Sequence, residues 1–101
     1  MKYGLKPEVV ERINRVFAVY PEVEQAVLYG SRAKGTHRPA SDIDVCLKGE
    51  KLTLPLLLEI GNELDDLLLP YKIDLSLFHT LDNPELIAHI QQVGLVFYNK
   101  S

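Results

Sequence analysis

The chain has a single cysteine, Cys46, in 101 residues. One thiol excludes an internal disulfide framework and fits a reducing compartment. No apolar run is long enough to cross a bilayer, and the opening MKYGLKPEVVER lacks the apolar stretch of a signal peptide. These absences imply a cytoplasmic protein with no membrane partner. The formal net charge of −3 does not suit a protein that coats nucleic acid by itself, so no autonomous nucleic-acid binding is expected. Repeats, low-complexity tracts and linkers are also missing, and residues 1–101 read as one domain.

Several common site signatures fail as well. GSRAKGTH comes close to a P-loop, but Thr36 stands where the phosphate-binding lysine must be. DIDVCL lacks the glycine and the later acidic ligand of an EF-hand loop. His37, His79 and His89 show no zinc-site spacing. His89, inside a helical segment, reads as a structural or exposed residue. No serine–histidine–acid set can be assigned from spacing.

What remains is an ordinary globular composition, 47% apolar and 25% charged. Residues 7–20 repeat Val9, Ile13, Val16, Phe17 and Tyr20 at helical spacing, with Pro7 in the first turn and Pro21 at the end. Residues 24–29 read as a strand stopped by Gly30, and 31–34 as one helical turn closed by Gly35. Residues 42–48 alternate as a second strand. A helix capped by Thr53 is expected over 53–69, ended by Pro70, and a third strand over 71–78. Asp82 and Glu85 form a capping-box pattern before a helix over 84–93, and residues 95–98 suit a short last strand. The order predicts an α/β or α+β domain, a small mixed sheet with flanking helices.

In the second strand Asp42, Asp44 and Cys46 share a face, opposite Ile43, Val45 and Leu47. Alternate strand residues lie about 6.6 Å apart along the axis, so two aspartates so spaced can lean toward one site. Without a cation each disfavours ionising the other. An oxygen-ligated divalent ion such as Mg²⁺ or Mn²⁺ removes that conflict. The bland alternative is a solvated strand face. Aspartate is a poor strand former, however, and Asp74 in YKIDLSLF adds a third carboxylate on a polar face. The Gly30–Ser31 step can admit a phosphate closely, with Arg32, Lys34 and Arg38 as local positive charge. Taken alone, that stretch is equally a strand-to-helix turn with solvated basic residues.

The set Gly30-Ser31-Arg32-Ala33-Lys34-Gly35, then Ser41-Asp42-Ile43-Asp44, then Asp74 in an apolar strand, resembles the signature of the DNA polymerase beta-like nucleotidyltransferase superfamily. The likeness spans essentially the whole chain. It is greatest to the minimal nucleotidyltransferases, many of which are antitoxins paired with a HEPN-domain ribonuclease toxin. The resemblance implies the polymerase beta palm-like nucleotidyltransferase fold. It implies that Gly30 and Ser31 bind the phosphates of a nucleoside triphosphate, with Arg32, Lys34 and Ser41 as further nucleotide contacts. Asp42, Asp44 and Asp74 would be the catalytic residues and hold Mg²⁺, two ions in the usual arrangement, with ATP as substrate. The implied reaction is transfer of AMP to a hydroxyl, a tyrosine of a small all-helical HEPN-type partner encoded nearby. A non-catalytic antitoxin acting by contact, and an antibiotic-type enzyme with a separate acceptor-binding subunit, are the alternatives. A homo-oligomer is compatible with each. The leucine-rich segment 53–69 exceeds one apolar stripe, which suits either two-sided packing within the domain or a partner surface.

Overall fold

The structure is a computed structural model that describes residues 1–100. Its elements are α1 (Pro7–Val19), β1 (Gln25–Tyr29), α2 (Ser31–Lys34), β2 (Ile43–Lys48), α3 (Leu54–Asp65), β3 (Ile73–Leu77), α4 (Pro84–Val93) and β4 (Leu95–Asn99). A single 3₁₀ turn, Phe78–Thr80, follows β3. The four strands form one mixed sheet in the order β3-β2-β1-β4. β1 runs antiparallel to both β2 and β4, and β2 runs parallel to β3. The parallel pair needs a crossover, and α3 provides it.

The sheet divides the apolar side chains into two unequal clusters. Ile13, Val16 and Phe17 of α1 and Ile60 and Leu64 of α3 pack with Ala26, Leu28, Ile43, Val45, Leu47 and Leu77 in the main core. Strand alternation accounts for this face, because Ile43, Val45 and Leu47 are each two apart. On the other face Val27, Cys46 and Ile90 form a small cluster beneath α4. Cys46 is therefore a buried apolar filler whose thiol pKa burial pushes up to about 11. A register shift between Ala26 and Val27 interrupts the β1–β4 ladder. Such a bulge lets successive residues turn to one side, and Phe97 and Tyr98 both pack against the main core.

The third strand, expected over 71–78, covers Ile73–Leu77, with Phe78 in the 3₁₀ turn, and three further expectations change. The helix over 53–69 stops at Asp65. Pro70 disfavours helix at the preceding residue, and Leu68 takes the left-handed φ of 55° with which helices commonly terminate. Leucines 67–69 are thus outside α3. Leu57 is half-buried, whereas Leu54 and Leu58 are 62% and 61% exposed, so the helix both packs inward and presents leucines outward. Second, Asn83 rather than Asp82 caps α4, its Oδ1 accepting from the N–H groups of Glu85 and Leu86 at 3.0 and 3.2 Å. Pro84 occupies the first helical turn, which makes the residue before it the cap. Third, β2 begins at Ile43, leaving Asp42 in the loop before the strand.

Candidate active site

β1 ends at Tyr29, and the chain bends sharply at Gly30 into α2. Gly30 has φ 75° and ψ −157°, a region that side-chain-bearing residues avoid. Space forbids a side chain there too, because a Cβ would collide with Oδ2 of Asp44. The glycine is needed both for the bend and for the close approach of a carboxylate. At the far end of α2, Gly35 caps the turn in the left-handed region. Ser31 is half-buried at the start of α2 and Lys34 is exposed at its end.

Asp44 lies in the middle of this arrangement. It is paired in register with Tyr29 on β1 and with Asp74 on β3. The same alternation that sends Ile43 and Val45 into the main core directs Asp44 to the opposite face. Its carboxyl pKa is raised, first by burial, then by the charges of Asp74 and Asp42, against a smaller lowering by Lys72. The charges of Asp74 and Asp42 thus add to burial in opposing ionisation of Asp44. Asp42 and Asp74 are exposed. Among the described residues no group of three or more His, Cys, Asp or Glu side chains is placed so that it could hold a metal ion. The donor chemistry still suits a hard cation: all-oxygen ligands, with a half-buried carboxylate whose ionisation is opposed by burial and by its acidic neighbours. Tyr29, half-buried beside Asp44, has its phenol pKa raised chiefly by burial, with the two aspartates adding to the shift.

Arg32 differs from its expected role as a nucleotide contact. It is 2% exposed and faces the interior. Its guanidinium donates to the carbonyls of Tyr3 (2.8 Å), Pro39 (3.2 Å) and Ser41 (2.9 and 3.2 Å), and it sits 4.9 Å over the ring of Tyr71. Those bonds commit the fork of donors that a phosphate would need. Arg32 ties the N-terminal turn to the loop that delivers Asp42. Ser41 also has a local duty, its Oγ accepting from the Arg38 N–H at 2.8 Å and closing the turn before Asp42.

One residue at this site was read in the sequence only as structural or exposed. His89 of α4 is half-buried, and its Nε2 accepts from the Gly30 N–H at 3.2 Å. Its ring meets Tyr29 edge-on, with centroids 6.2 Å apart and planes at 83°. The available signal was helical: Leu86, His89, Ile90 and Val93 share one stripe, so the histidine had to face the sheet.

The site is thus a glycine bend packed on a strand aspartate of a mixed four-stranded sheet, with a second aspartate in register beside it. The sequence profile described as polymerase beta, nucleotidyltransferase, matches residues 11–101, and the chain belongs to that family. Comparison with curated proteins gives no match. Among solved structures the fold is similar to a chain of a toxin–antitoxin complex with AMP-PNP, at TM-score 0.72 and 20% identity, covering 91% of this chain and 74% of that one. It is also similar to a chain in a complex of tri-AMPylated Shewanella oneidensis HEPN toxin with MNT antitoxin, at TM-score 0.69 and 16% identity, covering 95% and 74%. A chain of the MntA–HepT toxin–antitoxin complex matches at TM-score 0.68 and 16% identity, covering 94% and 74%.

Proposed function

We propose that this protein transfers AMP from ATP to a tyrosine hydroxyl of a partner HEPN ribonuclease toxin and so acts as its antitoxin. The observation that carries the reading is the Gly30 bend packed directly on Asp44, with Asp74 in register across the parallel strand pair. That packing supports a phosphate cradle beside paired carboxylates. Membership of the nucleotidyltransferase family supports the class of reaction. The structural neighbours, one with AMP-PNP and one with an AMPylated toxin, support the nucleotide and the acceptor.

In this reading Gly30 and Ser31 admit and hold the β- and γ-phosphates, with Lys34 as an outer cationic contact. Ser41 and Arg32 act indirectly, by shaping the loop that presents Asp42. Asp42, Asp44 and Asp74 would hold Mg²⁺, two ions in the full arrangement. When bound, the ion neutralises charge developing on the phosphoryl oxygens and the pyrophosphate. Asp74, the more exposed member of the facing pair, orients the acceptor hydroxyl and receives its proton. The acceptor oxygen bonds to the α-phosphorus, and the bond from that phosphorus to the bridging oxygen of pyrophosphate breaks. Leu54 and Leu58, one turn apart and exposed on α3, offer a contact surface for a protein acceptor.

The test is incubation with ATP labelled at the α-phosphate, Mg²⁺ and a co-encoded small helical protein of the HEPN type. Label on a tyrosine of the partner, lost with Asp42→Asn/Asp44→Asn, is the expected result. A partner that is bound and silenced without label would overturn transfer and leave an antitoxin acting by contact.

A further inference from the structure

We propose that His89 is a positioning residue of this site, holding the Gly30 bend against Asp44 through its Nε2 lone pair. The inference rests on the nucleotidyl-transfer reading for its catalytic consequence. Its structural content stands on α4 itself.

α4 is attached to the sheet by the smaller of the two apolar clusters, in which Val27, Cys46 and Ile90 are the buried members. Among the described residues, the bond from the Gly30 N–H to His89 Nε2 is the one side-chain hydrogen bond that links α4 to another element. It therefore falls on the backbone position that the site can least allow to move. Gly30 has a left-handed φ that only glycine adopts freely, and its Cα faces the Asp44 carboxylate with no room for a methyl group. Freed of its partner, a glycine in that region has many neighbouring conformations open to it. The hydrogen bond selects one of them.

The chemistry of the ring is specific. An imidazole nitrogen that accepts must be unprotonated, so the neutral ring carries its proton on Nδ1. The edge-on contact with Tyr29 fixes the plane of the ring, because β1 holds Tyr29 immediately before Gly30. Tyr29, Gly30 and His89 thus form a three-residue brace, two members from the strand end and one from α4. A side chain with an acceptor at similar reach should replace the imidazole in part. A ring without an acceptor should fill the space and still release the bend. The Gly30 N–H is also committed within the fold, which leaves the N–H and hydroxyl of Ser31 as the donors nearest the bend for a phosphate.

The experiment compares the full chain with His89→Phe and His89→Gln, each first shown to be folded by thermal unfolding. The Gly30 amide is followed by ¹H–¹⁵N NMR, Mn²⁺ affinity by calorimetry, and transfer of labelled AMP by kcat and KM. In His89→Phe the Gly30 amide proton should move upfield, Mn²⁺ should bind about tenfold more weakly, and kcat should fall roughly 10- to 100-fold, as for a misplaced catalytic group. In His89→Gln the amide shift, Mn²⁺ affinity and kcat should return most of the way to the parent values. An unmoved Gly30 amide in His89→Phe would overturn the brace. A moved amide with parental Mn²⁺ affinity and kcat would overturn its role at the site. If the parent protein transfers no AMP, the transfer reading fails, while the amide and Mn²⁺ measurements still decide the position of His89.

Discussion

Asp44 and Asp74 stand directly beside one another across the parallel β2–β3 pair, one from each strand at the same register position. Burial and the charge of Asp74 both oppose ionisation of Asp44. A carboxylate whose folded pKa is raised binds protons more readily in the folded than in the unfolded state. Its ionised form therefore costs stability above the folded pKa, and that cost vanishes as pH falls below the ordinary carboxylate value.

Asp44→Asn should consequently stabilise the metal-free protein at neutral pH. Partial exposure screens the effect, which limits it to less than ~1 kcal/mol, or a few degrees in Tm for a domain of this size. The advantage should shrink as pH is lowered through the raised pKa and disappear near about pH 4. Thermal unfolding in EDTA across that interval checks the sign. Added Mg²⁺ should raise Tm of the parent and leave the variant unmoved. A variant less stable than the parent at neutral pH would contradict the strained-carboxylate account.

Arg32 makes a separate prediction because, among the described residues, it is buried without a carboxylate partner. Its charge is satisfied by three backbone carbonyls and the face of Tyr71. Arg32→Leu leaves those carbonyls without donors in a site that water does not reach freely, which should cost roughly 3 kcal/mol. Arg32→Lys keeps the charge but not the fork, and should recover only part of that loss. Denaturant unfolding gives both values. At temperatures where each variant is folded, KM for the nucleotide should change little with Arg32→Lys. A large rise in KM without loss of stability would restore the phosphate-binding role that the basic loop suggests in sequence.

The contrast between Arg32 and Lys34 shows which features can be read along the chain. The glycine bend, the alternation of Ile43 to Leu47 and the order of helices and strands are local patterns, and they appear where the spacing places them, with Asp42 just ahead of the strand. Whether a loop arginine faces solvent or the interior depends on Tyr3, Pro39 and Tyr71, which only the folded chain brings around it. His89 was hidden for the same reason. Its helical face was legible, but its partner is a backbone N–H that lies 59 residues away in sequence. The end of α3 departs from its expected place because leucines 67–69 extend an apolar run that favours helix, while Pro70 acts on the conformation of the residue before it.

That helix end carries the last prediction. Leu68 adopts φ 55°, and its side chain is 88% exposed. A left-handed conformation costs an ordinary residue about 1–2 kcal/mol, and little packing at Leu68 offsets it. Glycine is the usual residue at such a helix terminus. Its greater freedom in the unfolded chain cancels roughly 0.5–1 kcal/mol of the relief. Leu68→Gly should therefore raise stability by about 0.5–1 kcal/mol, and Leu68→Ala should leave the strain in place with little change. The pair separates conformational relief from the loss of an exposed apolar side chain, because both variants remove the leucine and only one removes the strain. Equal Tm values for the two would show that the left-handed turn at Leu68 is not what limits the end of α3.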